Sequence, residues 1–240
     1  YEIMPSLVGS EMCIRDRLTE KKNDAAVNRM YGQTQTVQEN ADGQQITLTV
    51  LDEYKSLYNQ NKNLIGWLEI ADTNIDYPVM QTADNEYYLD HNINQEEDKN
   101  GTLFLDSACD VVKPSTNFII YGHNMRSGNM FGNLDKYKSE SYYKDHPMIR
   151  FDTIYEKGTY QVMYAFMSHI YKEDEIAFKY YQFIDAASEQ EFDSDMRSMQ
   201  EMALYDTGVT AQYGDRLLTL STCDYEESDG RFVVVAKRME

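Results

Sequence analysis

Short runs of β-branched and aromatic residues, separated by Gly, Asn, Asp and Pro, dominate the chain from residue 65 onward. They predict eight strands, over 65–70, 75–81, 101–106, 117–122, 148–155, 159–170, 216–223 and 231–239. Eight strands of this kind favour a closed or nearly closed sheet, because closure removes exposed edges. Two stretches follow a helical period instead. Leu48, Leu51, Tyr54, Leu57 and Tyr58 recur at three- and four-residue spacing, which lays one apolar stripe along a helix leading into the domain. Between the sixth and seventh strands, Ser188 and Glu191 form a capping-box signature. Phe192, Met196, Met199 and Ala203 follow on one face, with a stop near Gly208. The chain therefore reads as mainly β, with one helix inserted late. No internal repeat of solenoid period is evident.

Ahead of this pattern, residues 18–45 are rich in Asn, Gln, Lys and Asp and poor in residues able to bury surface, so a flexible polar linker is expected there. The folded domain is expected over 46–240. Residues 1–17 fit neither a signal peptide nor the start of a periodic element. They resemble translated sequencing-adapter sequence and read as foreign, so Cys13 within them carries no weight in the functional reading.

Composition narrows the classes of function. The chain has 240 residues, 42% of them apolar, which is enough for one well-filled core. With 22 basic and 41 acidic residues its net charge is -19, which repels phosphate backbones and argues against a nucleic-acid partner. The three cysteines, at 13, 109 and 223, show no C-x-x-C spacing, and neither H-E-x-x-H nor an EF-hand pattern occurs. Neither a disulfide framework, a metal site nor a cofactor is called for. No stretch reaches the roughly 18 to 20 consecutive apolar residues that a membrane-spanning helix needs.

Candidate chemistry gathers at the ends of strands. Alternation along 216–223 puts Leu218, Leu220 and Thr222 on one face and Leu217, Thr219, Ser221 and Cys223 on the other. Cys223 thus shares a polar face and stands where a strand runs into the loop DYEESDG. A thiol of pKa ~8.5 is only a few per cent thiolate at neutral pH, so a nucleophilic cysteine needs a proton partner and a nearby cation. Of four histidines, His91 lies in a polar stretch, His146 precedes a proline and His169 is near a strand end. His123 differs, since it leaves the strand 117–122 directly through a glycine that permits a sharp exit. Arg231 opens the last strand and, in a hairpin, returns to the end where Cys223 lies. Its five donors suit a substrate carbonyl and the oxyanion formed on thiolate attack. On residue types alone, a buried apolar cysteine, a structural histidine and a surface arginine stay open as readings.

The motifs go further. TLSTC (219–223) followed by RFVVVAK (231–237) resembles the active-site hairpin of the sortases, the Gram-positive cell-wall transpeptidases, and of class B in particular. NFIIYGHNM (117–125) with MFGNL (130–134) is similar to that family's histidine segment. GWL (66–68), TNIDYPVMQ (73–81) and DNEYYL (84–89) match the class B pattern too, so the resemblance runs from about residue 50 to the C-terminus. It implies an eight-stranded sortase β-barrel with N-terminal helices and a long helix between the sixth and seventh strands. It also implies that Cys223 is the nucleophile that cleaves a C-terminal sorting signal after its threonine. His123 is then general acid and base, and Arg231 orients the signal and stabilises the oxyanion. Asn85, Leu89 and Ser221 match positions lining the signal groove, and Asp224 and Tyr225, following the nucleophile, are expected near the substrate. The implied partners are a surface protein bearing a sorting signal and an amine of a peptidoglycan precursor. The implied location is the extracellular face of the cytoplasmic membrane, with a native anchor expected ahead of the polar linker.

Two other readings compete. A hydrolytic cysteine peptidase uses the same residue types, although a papain-like order puts the cysteine first, whereas His123 precedes Cys223 by 100 residues. A non-catalytic extracellular β-rich binding module would use the 20 tyrosines as a contact surface, with Cys223 as a core residue.

Overall fold

The computed structural model describes residues 35–39, 45–224 and 229–239. Two short strands, β1 (Gln35–Glu39) and β2 (Gln45–Thr49), pair antiparallel, with Gln35 opposite Thr49. Helix α1 (Asp52–Gln60) follows. This differs from the periodicity reading in two ways. The stretch read as linker contains a strand, and the helix begins at Asp52, with Leu48 on β2. The segment QITLT alternates polar and apolar residues, the period of a strand, and its backbone is paired across the ladder up to Thr49. Asp52 and Glu53 then occupy the first helical turn, where carboxylates suit the helix N-terminus.

Eight strands form the body: β3 (Leu64–Glu69), β4 (Asp76–Met80), β5 (Leu103–Leu105), β6 (Asn117–Tyr121), β7 (Met148–Thr153), β8 (Thr159–His169), β9 (Leu217–Cys223) and β10 (Gly230–Arg238). They close into a barrel in the order β10-β8-β7-β3-β4-β5-β6-β9. All eight predicted strands are present, and the barrel fold implied by the sortase resemblance is borne out. Pairs β4–β5 and β6–β9 are parallel, and the rest are antiparallel. Of the N-terminal helices expected, α1 alone lies among the described residues.

Alternate side chains fill the interior: Leu68, Val79, Phe118, Leu220, Phe232 and Val234 belong to one cluster of buried residues. The outer faces are covered in two places. Tyr54 and Tyr58 of α1, four residues apart, pack with Tyr88, Leu89, Phe104 and Tyr121 outside β5 and β6. Tyr54 also donates to the buried Asp152 Oδ2 on β7 at 2.9 Å. Helix α2 (Glu140–Asp145) is short, and the inserted helix α3 (Glu189–Met202) lies between β8 and β9 as expected. Ser188 Oγ accepts from the Glu191 N–H at 3.2 Å, while Glu191 reaches back to the Ala187 N–H at 2.8 Å, a capping box displaced by one residue. Phe192, Met196 and Met199 of α3 pack with Tyr180, Phe183 and Val233 over the outer face of β8, β10 and β9. The helix ends earlier than its pattern suggests, because Ala203 turns extended, and Gly208 serves the loop beyond at φ 72°. Because interior and exterior are both covered, β6 and β9 are buried at every position.

Candidate active site

The site grows from two ladders that meet on β9. In the antiparallel β9–β10 pair, Cys223 is directly opposite Arg231, Ser221 opposite Val233 and Thr219 opposite Val235. Directly opposed residues project from the same face, so thiol and guanidinium share the outer face of the barrel. Across β10, Arg231 is opposite Ser168 of β8, which completes a row of Ser168, Arg231 and Cys223. Cys223 is 6% exposed and Arg231 2%. Arg231 Nη1 donates to the Gly230 carbonyl at 2.8 Å, and the Asp224 N–H meets that same carbonyl at 2.9 Å, which closes the neck of the β9–β10 loop.

The parallel β6–β9 ladder supplies the third residue. Tyr121 is opposite Ser221, so two further residues along each strand lead to His123 and Cys223. The register is carried past the strand ends: the Gly122 N–H donates to the Ser221 carbonyl at 3.2 Å, Thr222 Oγ1 to the Gly122 carbonyl at 2.7 Å, and Asn124 Nδ2 to the Cys223 carbonyl at 2.9 Å. The glycine is needed for space and not for a turn. Its φ is not positive, but a Cβ there would stand 2.3 Å from a Leu103 methyl and 2.8 Å from the Phe131 ring.

His123 is half-buried, and its Nε2 lies 2.6 Å from the Leu89 carbonyl oxygen. A carbonyl only accepts, so Nε2 carries the proton, and in the neutral ring Nδ1 is the basic nitrogen. Leu89 ends a 3₁₀ turn, Tyr87–Leu89, that packs against Gly101 at φ 60°. A Cβ at Gly101 would lie 2.5 Å and 2.6 Å from the Tyr88 and Leu89 oxygens.

The remaining candidates fall at different distances from this centre. Ser221 is buried on the Cys223 face, where Oγ is 2.7 Å from the hydroxyl of Tyr180. Burial pushes the Tyr180 hydroxyl up to about 12, against the opposing pull of the Arg231 charge. Leu89 contributes its backbone oxygen, while its side chain is buried in the α1 cluster. Asn85 is engaged at both amide atoms: Oδ1 accepts from the Ser107 N–H at 2.7 Å, and Nδ2 donates to Asp106 Oδ2 at 3.1 Å. Asp106 also accepts from the Tyr121 hydroxyl at 2.9 Å, and burial raises its carboxyl above the ordinary value. Asp224 is buried and paired with Lys138 at 3.2 Å. Tyr225 lies outside the described residues. Of the cysteines not invoked, Cys109 is a fully buried core residue whose Sγ lies 3.4 Å from the Asn117 carbonyl.

A buried cysteine and arginine side by side with a histidine at the next strand end can perform acyl transfer, and comparison with known proteins points the same way. A family model of the sortase domain matches residues 68–239. The chain is 35% identical over 193 residues to Sortase B of Listeria monocytogenes, covering 78% of this chain and 74% of that protein. The chain belongs to the sortase family, in class B. Sortase B of Staphylococcus aureus is 31% identical over 190 residues, covering 78% of this chain and 75% of the relative. Among solved structures, a Bacillus anthracis sortase B in complex with AAEK1 matches with TM-score 0.71 at 33% identity, covering 86% of this chain and 90% of that one. A Staphylococcus aureus sortase B–substrate complex matches with TM-score 0.72 at 30% identity, covering 80% and 86%. This sortase is thus a cysteine transpeptidase.

Sequence reasoning passed over Tyr180, Asn124 and Lys138 in this sortase. Asn124 sits within the histidine motif and its position was a usable signal. Tyr180 and Lys138 carry no motif, because their importance comes from side chains that meet β9 from connections far away in sequence. Among the described residues, no helix is long and apolar enough to cross a membrane.

Proposed function

We propose that this sortase cleaves a C-terminal sorting signal after its threonine and transfers the freed carboxyl end to an amine of a cell-wall precursor, with Cys223, His123 and Arg231 as the reacting trio. The Cys223 sulfur attacks the threonine carbonyl carbon, and the oxyanion that forms is held by the guanidinium of Arg231. As the C–N bond breaks, protonated His123 gives its Nδ1 proton to the leaving amine, which leaves a thioester on Cys223. The incoming amine attacks that thioester, His123 takes the surplus proton, and the thiolate departs. Nothing in this cycle requires a metal or a cofactor.

The observation that carries the reading is the β9–β10 register, which sets Arg231 opposite Cys223 on a buried face. In such a site a fixed cation acts on developing charge far more strongly than in water. The Staphylococcus aureus sortase B solved as a substrate complex supports a signal-bearing protein as partner. Family membership supports work at the cell wall, on the outer side of the cytoplasmic membrane. Asn85, Ser221, Asp224 and Tyr225 are assigned to the signal groove, and Leu89 to the support of its histidine side.

The test is cleavage of a sorting-signal peptide library with and without an added amine nucleophile, with Cys223→Ala as control. The expected result is a new amide product that appears only with amine and an inert Cys223→Ala. Equal amounts of plain hydrolysis product in both conditions would mean a peptidase.

A further inference from the structure

The hydroxyls of β9 are all engaged. Thr219 Oγ1 donates to Asn117 Oδ1 at 2.8 Å, Thr222 Oγ1 donates to the Gly122 carbonyl at 2.7 Å, and Ser221 Oγ lies 2.7 Å from the Tyr180 hydroxyl. Ser168, two strands away on β8, is different. The residue is 6% exposed, and its Oγ is buried with no hydrogen-bond partner among the described residues. A buried hydroxyl without a partner works against folding, so a role in the reaction accounts for it better than a role in the fold.

The ladder fixes where that hydroxyl stands. Ser168 is directly opposite Arg231, just as Phe166 is opposite Val233 and Tyr164 opposite Val235. Those two pairs belong to the cluster beneath α3, outside the barrel, and alternation along both strands puts Ser168 and Arg231 on the same side as they are. The serine backbone is held on past this point, since His169 pairs with Gly230 and the Ile170 N–H donates to the Asp229 carbonyl at 3.1 Å. Arg231 thus has Cys223 on one flank and a firmly seated hydroxyl on the other. Direct opposition brings Cβ atoms to about 5 Å, within reach of a side chain as long as arginine.

The guanidinium now donates to the Gly230 carbonyl, which also accepts from the Asp224 N–H. Turning toward an oxyanion on Cys223 gives up that bond, and a buried N–H left without an acceptor would oppose the turn. We propose that Ser168 is a positioning residue for the reaction, whose hydroxyl accepts an N–H of Arg231 when the guanidinium swings from Gly230 to the oxyanion. The planar fork of arginine carries donors on more than one edge, so one edge can meet the hydroxyl while another meets the oxyanion. Because this bond forms only as the oxyanion develops, it raises turnover more than it tightens substrate binding. The inference rests on the reading of Arg231 as the partner of the oxyanion, and Ser168 lies outside the motifs that carry the sortase resemblance.

The test is a double-mutant cycle between Ser168 and Arg231, read by steady-state cleavage of the best peptide from the sorting-signal library together with thermal melts. Ser168→Ala removes one oxygen and adds no bulk. It is expected to lower kcat about tenfold with KM nearly unchanged, while the melting midpoint stays equal or rises, because an unpaired buried hydroxyl has gone. Ser168→Thr keeps the hydroxyl and should keep most of the activity. In an Arg231→Lys background, Ser168→Ala should cost less than about twofold, since lysine lacks the fork that spans hydroxyl and oxyanion. A parent-like kcat in Ser168→Ala, an equal loss in both backgrounds, or a melting midpoint lowered by Ser168→Ala would each overturn the proposal. Failure of the Arg231 reading looks different, since Arg231→Ala would then still turn over substrate whatever Ser168 does.

Discussion

Arg231 lies directly across the β9–β10 ladder from Cys223, with Ser168 flanking it on β8. Arg231 thus has a paired strand on either side, its guanidinium donates to the Gly230 carbonyl, and the residue is 2% exposed. Arg231→Lys keeps the charge but loses the planar set of donors. The expected loss in kcat/KM is about a hundredfold or more, with an unchanged thermal midpoint. Near-normal turnover in that variant would show that Arg231 serves only as a charge.

Gly101 acts at one remove. Its positive φ and the closeness of the Leu89 carbonyl leave no room for a methyl group. Gly101→Ala should displace the oxygen that fixes the His123 ring, costing about 1–3 kcal/mol of stability from strain and lowering kcat more than it raises KM. Chemical denaturation and steady-state kinetics on one preparation check both parts.

Tyr180 and Ser221 share a buried hydrogen bond of 2.7 Å. Tyr180→Phe would leave the serine hydroxyl buried without that partner, so a loss of about 1–3 kcal/mol in unfolding free energy is expected. Urea unfolding measures it directly, and Ser221→Ala in the same background should recover part of the loss.

At the opposite end of the barrel, Glu156 accepts from both Arg216 and Arg238. Partial burial pushes its carboxyl up, but the two guanidinium groups outweigh burial and hold it below the ordinary glutamate range. A carboxyl with a lowered folded-state value stabilises the fold above its unfolded value and loses that contribution as pH falls through the folded one. The stability difference between parent and Glu156→Gln should therefore be constant at neutral pH and shrink below pH about 4.5. Thermal melts from pH 7 to pH 3 would reveal a difference that grows on acidification, if the sign is wrong.

The strands were legible because a barrel covered on both sides demands nearly continuous apolar runs, and NFIIY, LLTLSTC and RFVVVAK supply them. Alternation also put Ser221 with Cys223 and against Leu218 and Leu220, as the ladders have it. The hairpin of β1 and β2 was hidden, since QTVQE and QITLT are too polar to signal burial and are held by backbone pairing. Gly122 matters to the chain for its lack of a side chain and not for its range of φ, which the sequence does not distinguish. The parts of the site that escaped notice, Tyr180 and Lys138, depend on where connecting segments land on the barrel, which local periodicity does not encode.

The parallel pairing of β6 with β9 also fixes when activity can arise. β9 is the stave between β6 and β10, and until it is inserted the barrel stays open. His123 comes beside Cys223 through that seam, across a sequence separation of 100 positions, and Arg231 is set opposite Cys223 through the other edge of the same strand. Contacts of such long sequence separation form late in folding. Cys223 in an incompletely folded chain is consequently an ordinary thiol, and during refolding the recovery of its reactivity should coincide with the final closing step and not with early collapse.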